Sequence, residues 1–552
     1  MKTESFIEQI YFGDVNLAEK MYSESSARDP AVEAIFAKYL DAIKGYPSDM
    51  LEDSGRVPDS LLDRLREIGF FGLFIPTPYE GVGLSLHQYL ALVREIVMMD
   101  MAIGILSLAH LSIGMKAILL FGNESQKRKY LPLAASGKMI FCYALTEPLF
   151  GSDAKNIDTV AELSDDGSHY ILNGTKAYIT NANYAGGLTV FAQMDKGKKG
   201  KLGAFIVETV WDGVTAGKDI HKMGLIASST ASFHFKNVRV PKENLIGAPG
   251  EGFKIAMTVL NYGRLALGAA SCGMLEASIT DMIKRAKSRI QFDRPIIEFE
   301  LIQEKIARAI VDNETIWAMT NFTAGLLTDD PVAHVAIESS HCKLYGTNRA
   351  WETLYNAMQL AGGSGYLKAQ PYEKRMRDFR VATIFEGTSE IHSLYPSLSA
   401  FRNIFKYLSS AKKSSVSRFV FVMVLNFKPA HVTVGSDDPM INKSVKTIDS
   451  YTRVYRKLFV SSLKKYGRNI SEREFVLRRL TTISIQIYAL ICLIQKIRFL
   501  PSSDSQRYKL ILALESVIAE SRNIVKMNSF SEPDDTEKVM KRVLELVLGN
   551  NR

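Results

Sequence analysis

The 552-residue chain is predicted to be an α+β protein whose helical and β segments are segregated along the sequence. Three observations predict this. Apolar residues recur every three or four positions before residue 143 and again after 250, the spacing of a buried helix face. Between those limits, short β-prone runs are divided by turn residues. The length also exceeds the ~250–300 residues at which a single core stops growing, so several domains are expected.

Residues 1–27 read as an N-terminal extension and 28–142 as an α-helical domain. Its evidence is SLLDRLREIGFFGL (60–73) and YLALVREIVMMD (89–100), divided by the Gly/Pro loop PYEGVGLS (78–85). Residues 143–250 read as a central β domain. HYILNGTKAYIT carries Asn173-Gly174 between two β-prone runs, which predicts a hairpin turn there. LTVFAQM (188–194), LGAFIVE (202–208) and ASFHFKNVRV (231–240) are further strands, with DKGKKGK as an intervening turn. Residues 251–402 return to long helical patterns, one from about Ile255 to Ile290 and a second over LIQEKIARAIVDNETIWAMTNFTAGLL. Residues 403–552 form a further helical piece. It opens on Arg402, Lys406, Lys412, Lys413 and Arg418 around the short apolar run Phe419–Leu425. Apolar positions 476, 480, 483, 487, 490, 491 and 494 then predict an amphipathic helix, and one or two more helices follow the loop PSSDSQ (501–506).

Composition is that of a globular protein, 47% apolar and 23% charged. No apolar run reaches the ~18–20 residues that cross a bilayer. MKTESFIEQIYFGD has neither a signal core nor the Arg-rich, acid-poor character of a transit peptide. Cytoplasmic residence is therefore expected. Cys142, Cys272, Cys342 and Cys492 are far apart and read as reduced core residues. The nine histidines form no HExxH or HxH pattern, so no metal site is expected. The net charge of +9 suits an anionic ligand, a membrane surface, nucleic acid or simply a solvated surface.

Four segments carry a resemblance. YALTEPLFGSD (143–153), NGTKAYITNA (173–182), RIQFDRPI (289–296) and the pair MQLAGGSGY with TIFEGTSEIH (358–392) occur in order on an α–β–α chain. Together they resemble the acyl-CoA dehydrogenase family over about residues 28–400. KKYGRNISEREFVLRRL (464–480), AHLSIGMKAILLFG (109–122) and VLNYGRLALGAA (259–270) look like its very-long-chain branch, which has a C-terminal helical extension. The implied fold is an N-terminal helical domain, a β domain and a four-helix-type C-terminal domain, followed by the extra helices. The implied chemistry is FAD-dependent α,β-desaturation of a fatty acyl-CoA, with electrons passed to an electron-transfer flavoprotein.

That reaction takes a proton from Cα and a hydride from Cβ of a thioester, so it needs a placed base and donors for a developing enolate oxygen. The resemblance puts the base at Glu386, with its own backbone N–H and a ribityl hydroxyl as the oxyanion donors. Gly387 lets backbone come close to the ligand without a Cβ in the way. Some relatives carry the base on a long helix immediately before an arginine; here that position is Gly263, before Arg264, and glycine cannot be a base. A glycine there is also expected to leave room in the acyl tunnel, which suits long chains.

The same resemblance places Tyr143, Leu145 and Thr146 at the flavin edge, and Tyr178, Ile179 and Thr180 around its face and N5. Tyr178 stands where tryptophan is usual; it stacks on the ligand or packs in the β core. Arg289, Gln291, Phe292, Gln359, Gly362 and Gly363 match positions that hold the diphosphate and adenine of a neighbouring subunit's FAD. Glu300, where many relatives have glutamine, is expected to turn away from that diphosphate. Thr388, Ser389 and Glu390 continue the cofactor run. Ser152, Asn261, Tyr262, Gly263 and Arg264 match substrate positions, although Arg264 is equally suited to bracing the Glu386 loop. Leu149 and Phe150 are bulky replacements in the loop before GSD.

A homodimer is implied by the tail, and the cationic, apolar start of that tail suits a peripheral membrane surface. Two alternatives stand beside the dehydrogenase: an acyl-CoA oxidase on the same fold, and a flavin-bearing scaffold or nucleic-acid-binding relative. The last rests on basic charge alone, whereas Glu386 and the FAD segments are retained.

Overall fold

The computed structural model describes residues 5–12, 15–17, 29–195, 199–410, 432–434, 436, 438–501, 504–530 and 535–548. The run Phe419–Leu425, on which the membrane expectation rests, lies outside them. The chain divides into two compact units, one of residues 23–333 and 345–388, the other of residues 1–22, 334–344 and 389–552.

The larger unit opens with helices whose starts are written locally. Asp29 caps Pro30–Ala42 by accepting the Ala31 N–H, with proline at the first position. Ser85 and Gln88 form a reciprocal capping box at the head of Leu86–Met99. The helical pattern expected over 60–73 is interrupted: the helix Asp59–Glu67 ends at Gly69, which turns left-handed ahead of a short tight turn, Phe70–Gly72. Next come Met101–Leu108, a widened helical turn Ala109–Gly114, and Lys116–Phe121. His110 in that turn accepts the Phe141 N–H at Nδ1 (2.9 Å) and donates from Nε2 to the Ala134 carbonyl (3.2 Å). Burial draws its pKa down to about 4, so it stays a neutral tie between the helices and the first strand.

That strand, β1 (Ile140–Ala144), starts the β domain, with β2 (Val160–Leu163), β3 (His169–Thr180), β4 (Ala185–Gln193), β5 (Leu202–Glu208), β6 (Val214–Ala216), β7 (Thr230–Pro241) and β8 (Leu245–Ile246). The sheet order is β6-β7-β3-β2-β4-β5-β8, with β1 added parallel to β4. The hairpin expected at Asn173-Gly174 is absent. These residues sit inside β3, where the register with β7 shifts between Leu172 and Gly174. A Cβ on Gly174 would meet Thr159 at 2.5–2.8 Å, and the Asn173 side chain accepts the Asn237 N–H (2.7 Å). The dipeptide that reads as a turn serves here as a bulge, because a neighbouring strand comes too close for a side chain.

Two long helices, Gly252–Ser288 and Glu300–Asp329, follow the β domain in this unit. The first packs on Leu86–Met99, where Arg94 and Glu276 bridge the pair at 2.7 Å.

In the smaller unit, Glu474–Phe499 is the central helix, flanked by Pro439–Tyr466 and Ser505–Met527. The expected amphipathic stripe is only part of its buried surface: Ser484, Gln486 and Gln495 are buried as well. Residues at the N-terminus belong to this unit. Val15–Asn16 pairs in parallel with Val432–Thr433, and the Ile7 N–H donates to Glu338 at 2.8 Å. Two stretches, Met101–Phe121 and Glu474–Phe499, are long and apolar enough to cross a membrane by length and composition, contrary to the reading of the sequence; most of each is buried in the protein, as core helices are.

Candidate active site

Glu386 follows the helix Pro371–Phe379 and the turn Arg380–Thr383. It holds φ at +56° and Gly387 at +95°. A left-handed glutamate is costly enough that an observed case points to function. Its carboxylate lies against the backbone of Gly263, where a Cβ would stand 2.9 Å from Glu386 Oε2 and 2.9 Å from Ile113 Cγ2. The space left by that glycine is therefore taken by the carboxylate itself, not kept as tunnel, and this corrects the reading of Gly263 as room for a longer chain.

Gly263 lies on Gly252–Ser288 between helix neighbours with different jobs. Asn261 and Arg264, three residues apart and both buried, share a face, and Arg264 Nη1 donates to Asn261 Oδ1 (3.3 Å). Tyr262 faces elsewhere: its hydroxyl donates to the Pro331 carbonyl (2.8 Å), and its ring lies 4.8 Å from Lys116 Nζ. Tyr143, at the end of β1, donates to the Ala256 carbonyl at 3.1 Å. Burial and the Glu386 charge push its phenol well above the usual range, with Arg264 opposing. Tyr143, Glu386 and Arg264 therefore lie within electrostatic reach of one another, with the tyrosine protonated.

The two expected flavin-edge segments meet alongside. The Ala177 N–H donates to the Thr146 carbonyl at 2.9 Å. Leu145 and Ile179 are buried, while Thr146 and Thr180 are half-buried. The β3–β7 register slips again between Lys176 and Ile179, and Tyr178, φ +58°, turns outward with 65% of its surface exposed. It does not pack in the β core. Ser152 is exposed in the loop beyond, as is Leu149.

The remaining expected cofactor residues form a second cluster. Arg289, Gln291 and Phe292 ride a tight hairpin, Ile290–Gln291 paired with Arg294–Pro295, and all three are exposed. Gln359 is exposed in the last turn of the helix Ala336–Ala361 and Gly362 and Gly363 at the corner after it, and nothing lies within 4 Å of where a Cβ of either glycine would be. Arg285, in the last turn of the helix that precedes the hairpin, holds the corner by donating to the Ala361 carbonyl (3.4 Å) and Ser364 Oγ (3.1 Å). Glu300 is exposed at the first position of its helix, where the helix dipole favours an acid. Thr388 closes the larger unit, and Ser389 and Glu390 open the helix Ser389–Ser410 of the other. These features fit a flat ring joined to a diphosphate: an outward aromatic at a bulge, backbone turned left-handed at the carboxylate, and an open glycine corner beside an arginine.

Sequence reasoning missed Glu147 and Lys176, which pair at 2.7 Å with both side chains buried. The signal was available: Lys176 takes an inward position of β3. It also missed Ile113. Among the described residues no group of three or more His, Cys, Asp or Glu is placed to hold a metal, and the four cysteines are buried and form no disulfide.

Residues 33–138, 142–238 and 250–395 match in turn the family models of the N-terminal, middle and C-terminal domains of acyl-CoA dehydrogenases. A very long-chain specific acyl-CoA dehydrogenase of Macaca fascicularis is 35% identical over 483 residues, covering 84% of this chain and 73% of its own. An acyl-CoA dehydrogenase of Bacillus anthracis, solved with FAD, superposes with a TM-score of 0.83 at 27% identity, covering 97% of this chain and 94% of its own. A chain from the solved electron transferring flavoprotein of Acidaminococcus fermentans is 33% identical with a TM-score of 0.63, covering 67% and 98%.

Proposed function

The chain belongs to the acyl-CoA dehydrogenase family, and from that premise we propose that it desaturates long-chain fatty acyl-CoA between Cα and Cβ with FAD as its cofactor. The observation that carries this reading is the Glu386 carboxylate, held against Gly263 with Tyr143 and Arg264 around it. We assign Glu386 as the base that takes the α-proton. Its backbone N–H donates to the thioester carbonyl oxygen, where negative charge grows as that proton leaves. Gly387 keeps the backbone narrow at that point. Arg264, anchored on Asn261, steadies the carboxylate, and Tyr143, tied to the Ala256 carbonyl, fixes the wall beside it. FAD, when bound, accepts the β-hydride. Leu145, Thr146, Tyr178, Ile179 and Thr180 would hold its ring, with Ser152 at the cofactor and pantetheine approach.

Preference for long chains rests on the very long-chain relatives, whose match covers 84% of this chain, and not on Gly263. Electrons pass to an electron-transfer flavoprotein, a reading that the Acidaminococcus neighbour supports. The enzyme acts as a homodimer, because Arg289, Gln291, Phe292, Gln359, Gly362 and Gly363 face outward, where they would reach the cofactor of a second copy. The test is kcat/KM across saturated acyl-CoAs of increasing length, with electron-transfer flavoprotein or oxygen as acceptor. A rise towards long chains with the flavoprotein is expected; fast reoxidation by oxygen alone would make the chain an oxidase.

A second reading, contact with a membrane surface, is favoured by the helix Asp535–Val547 of the smaller unit. Val539, Met540, Val543, Leu544 and Val547 are all more than half exposed, with Lys538, Lys541 and Arg542 on the other side of the helix. Val543→Glu with Leu544→Glu should abolish liposome flotation; unchanged flotation would rule this helix out.

A further inference from the structure

We propose that Glu147 and Lys176 are positioning residues for the cofactor, a buried staple that sets the spacing of the two strand ends presenting Tyr143–Thr146 and Tyr178–Thr180 to the flavin. This rests on the FAD reading above and deepens it.

Lys176 is fully buried and Glu147 nearly so. Lys176 Nζ donates to Glu147 Oε1 (2.7 Å) and to the Leu145 carbonyl (3.1 Å). Glu147 also accepts the Asp158 N–H at Oε2 (2.6 Å) and the Thr159 N–H at Oε1 (3.0 Å). One carboxylate thus gathers the end of β1, the start of β2 and the bulged part of β3. Glu147 follows Thr146 directly, and Lys176 precedes Tyr178 by two residues. A further direct tie between the two strand ends is the Ala177 N–H to the Thr146 carbonyl.

The pair is ionised at neutral pH. Burial pushes the Glu147 carboxyl up, but the Lys176 charge and the hydrogen bonds from Lys176, Thr159 and Asp158 outweigh it and hold the group below its usual range. Burial draws Lys176 down to about 8 against the pull of Glu147. A buried pair is poor evidence of stability, since apolar residues of the same size often serve as well. What it adds is direction: three donors (Lys176 Nζ and the Asp158 and Thr159 N–H groups) and three acceptor oxygens (both of Glu147 and the Leu145 carbonyl) at fixed angles admit one spacing of the strand ends, which an apolar contact does not.

The test uses the full chain stripped of FAD and retitrated, with flavin fluorescence and visible circular dichroism as readouts and apoprotein melting as control. Lys176→Met should weaken FAD binding about tenfold or more and alter the dichroism of the flavin that remains bound. Arg94→Met, which breaks the helix–helix pair with Glu276, should bind FAD like wild type even where its melting temperature falls as far. Should Lys176→Met not fold, Glu147→Gln carries the same comparison. FAD affinity and dichroism unchanged in the variant, or FAD loss tracking melting temperature equally in both, would overturn the proposal. Wild-type apoprotein that takes up no FAD would overturn the functional reading itself, and the staple with it.

Discussion

Replacing Gly263 by alanine separates the position of the base from the stability of the fold. The new Cβ would lie 2.9 Å from Glu386 Oε2 and 2.9 Å from Ile113 Cγ2. Nonbonded contacts of this kind relax at ~3.5–4.0 Å, so roughly 0.5–1 Å of movement is required. Both obstacles are ends of side chains, so the backbone of the helix can stay in place. In a helix interior, alanine is favoured over glycine by ~1 kcal/mol, which offsets much of the crowding. Net stability should therefore change by no more than about 1 kcal/mol. The carboxylate, however, moves by a distance at which misplacement of a reacting group costs up to about 10²-fold in rate. Anaerobic single-turnover reduction of the FAD-loaded protein by a long-chain acyl-CoA should slow about 10- to 100-fold, with substrate affinity little altered. Urea unfolding gives the stability arm. Reduction at the wild-type rate would refute the claim that Gly263 exists to seat the base. So would a loss of rate that matches a collapse in stability.

Two further outcomes follow from the structure. His110 has its pKa lowered by burial from 6.5 to about 4, so the unfolded chain takes its proton first as pH falls. Its contribution is complete above pH 6.5 and is lost on the way to 4, on the order of 3 kcal/mol. His110→Gln should flatten the pH dependence of the urea midpoint in that window; an unchanged slope would show that other groups set it. Gly174→Ala would drive a Cβ into Thr159 at 2.5–2.8 Å from a φ of +149°. That overpacking should cost about 1–3 kcal/mol, seen as a lower melting temperature, and an unshifted melt would mean that the bulge can open.

The order helix, sheet, helix and the run of helices after residue 403 were legible because each is a repeated pattern, and repetition survives local exceptions. The misreadings were local. Asn173-Gly174 has hairpin chemistry, but the closeness of Thr159, a contact from elsewhere in the sheet, decides what that glycine does. The pattern over 60–73 ignored Gly69, a residue that ends helices. The stripe on Glu474–Phe499 looked amphipathic because Ser484, Gln486 and Gln495 are polar, yet they are buried inside the unit. At the candidate site, Glu386 and Gly263 could be paired only through a resemblance, since 123 residues separate them in the sequence. Their contact, the outward turn of Tyr178 and the Glu147–Lys176 pair are all products of folding.

The most direct test is an anaerobic titration of the FAD-loaded protein with a long-chain acyl-CoA, following loss of the oxidised flavin absorbance, with Glu386→Gln beside it. Wild type should bleach, and the variant should bind the same thioester but bleach at least about 10²–10⁴-fold more slowly, as expected for loss of a general base. Bleaching of the variant at the wild-type rate would remove Glu386 from the chemistry, and no bleaching of wild type at any chain length would contradict the dehydrogenase reading as a whole.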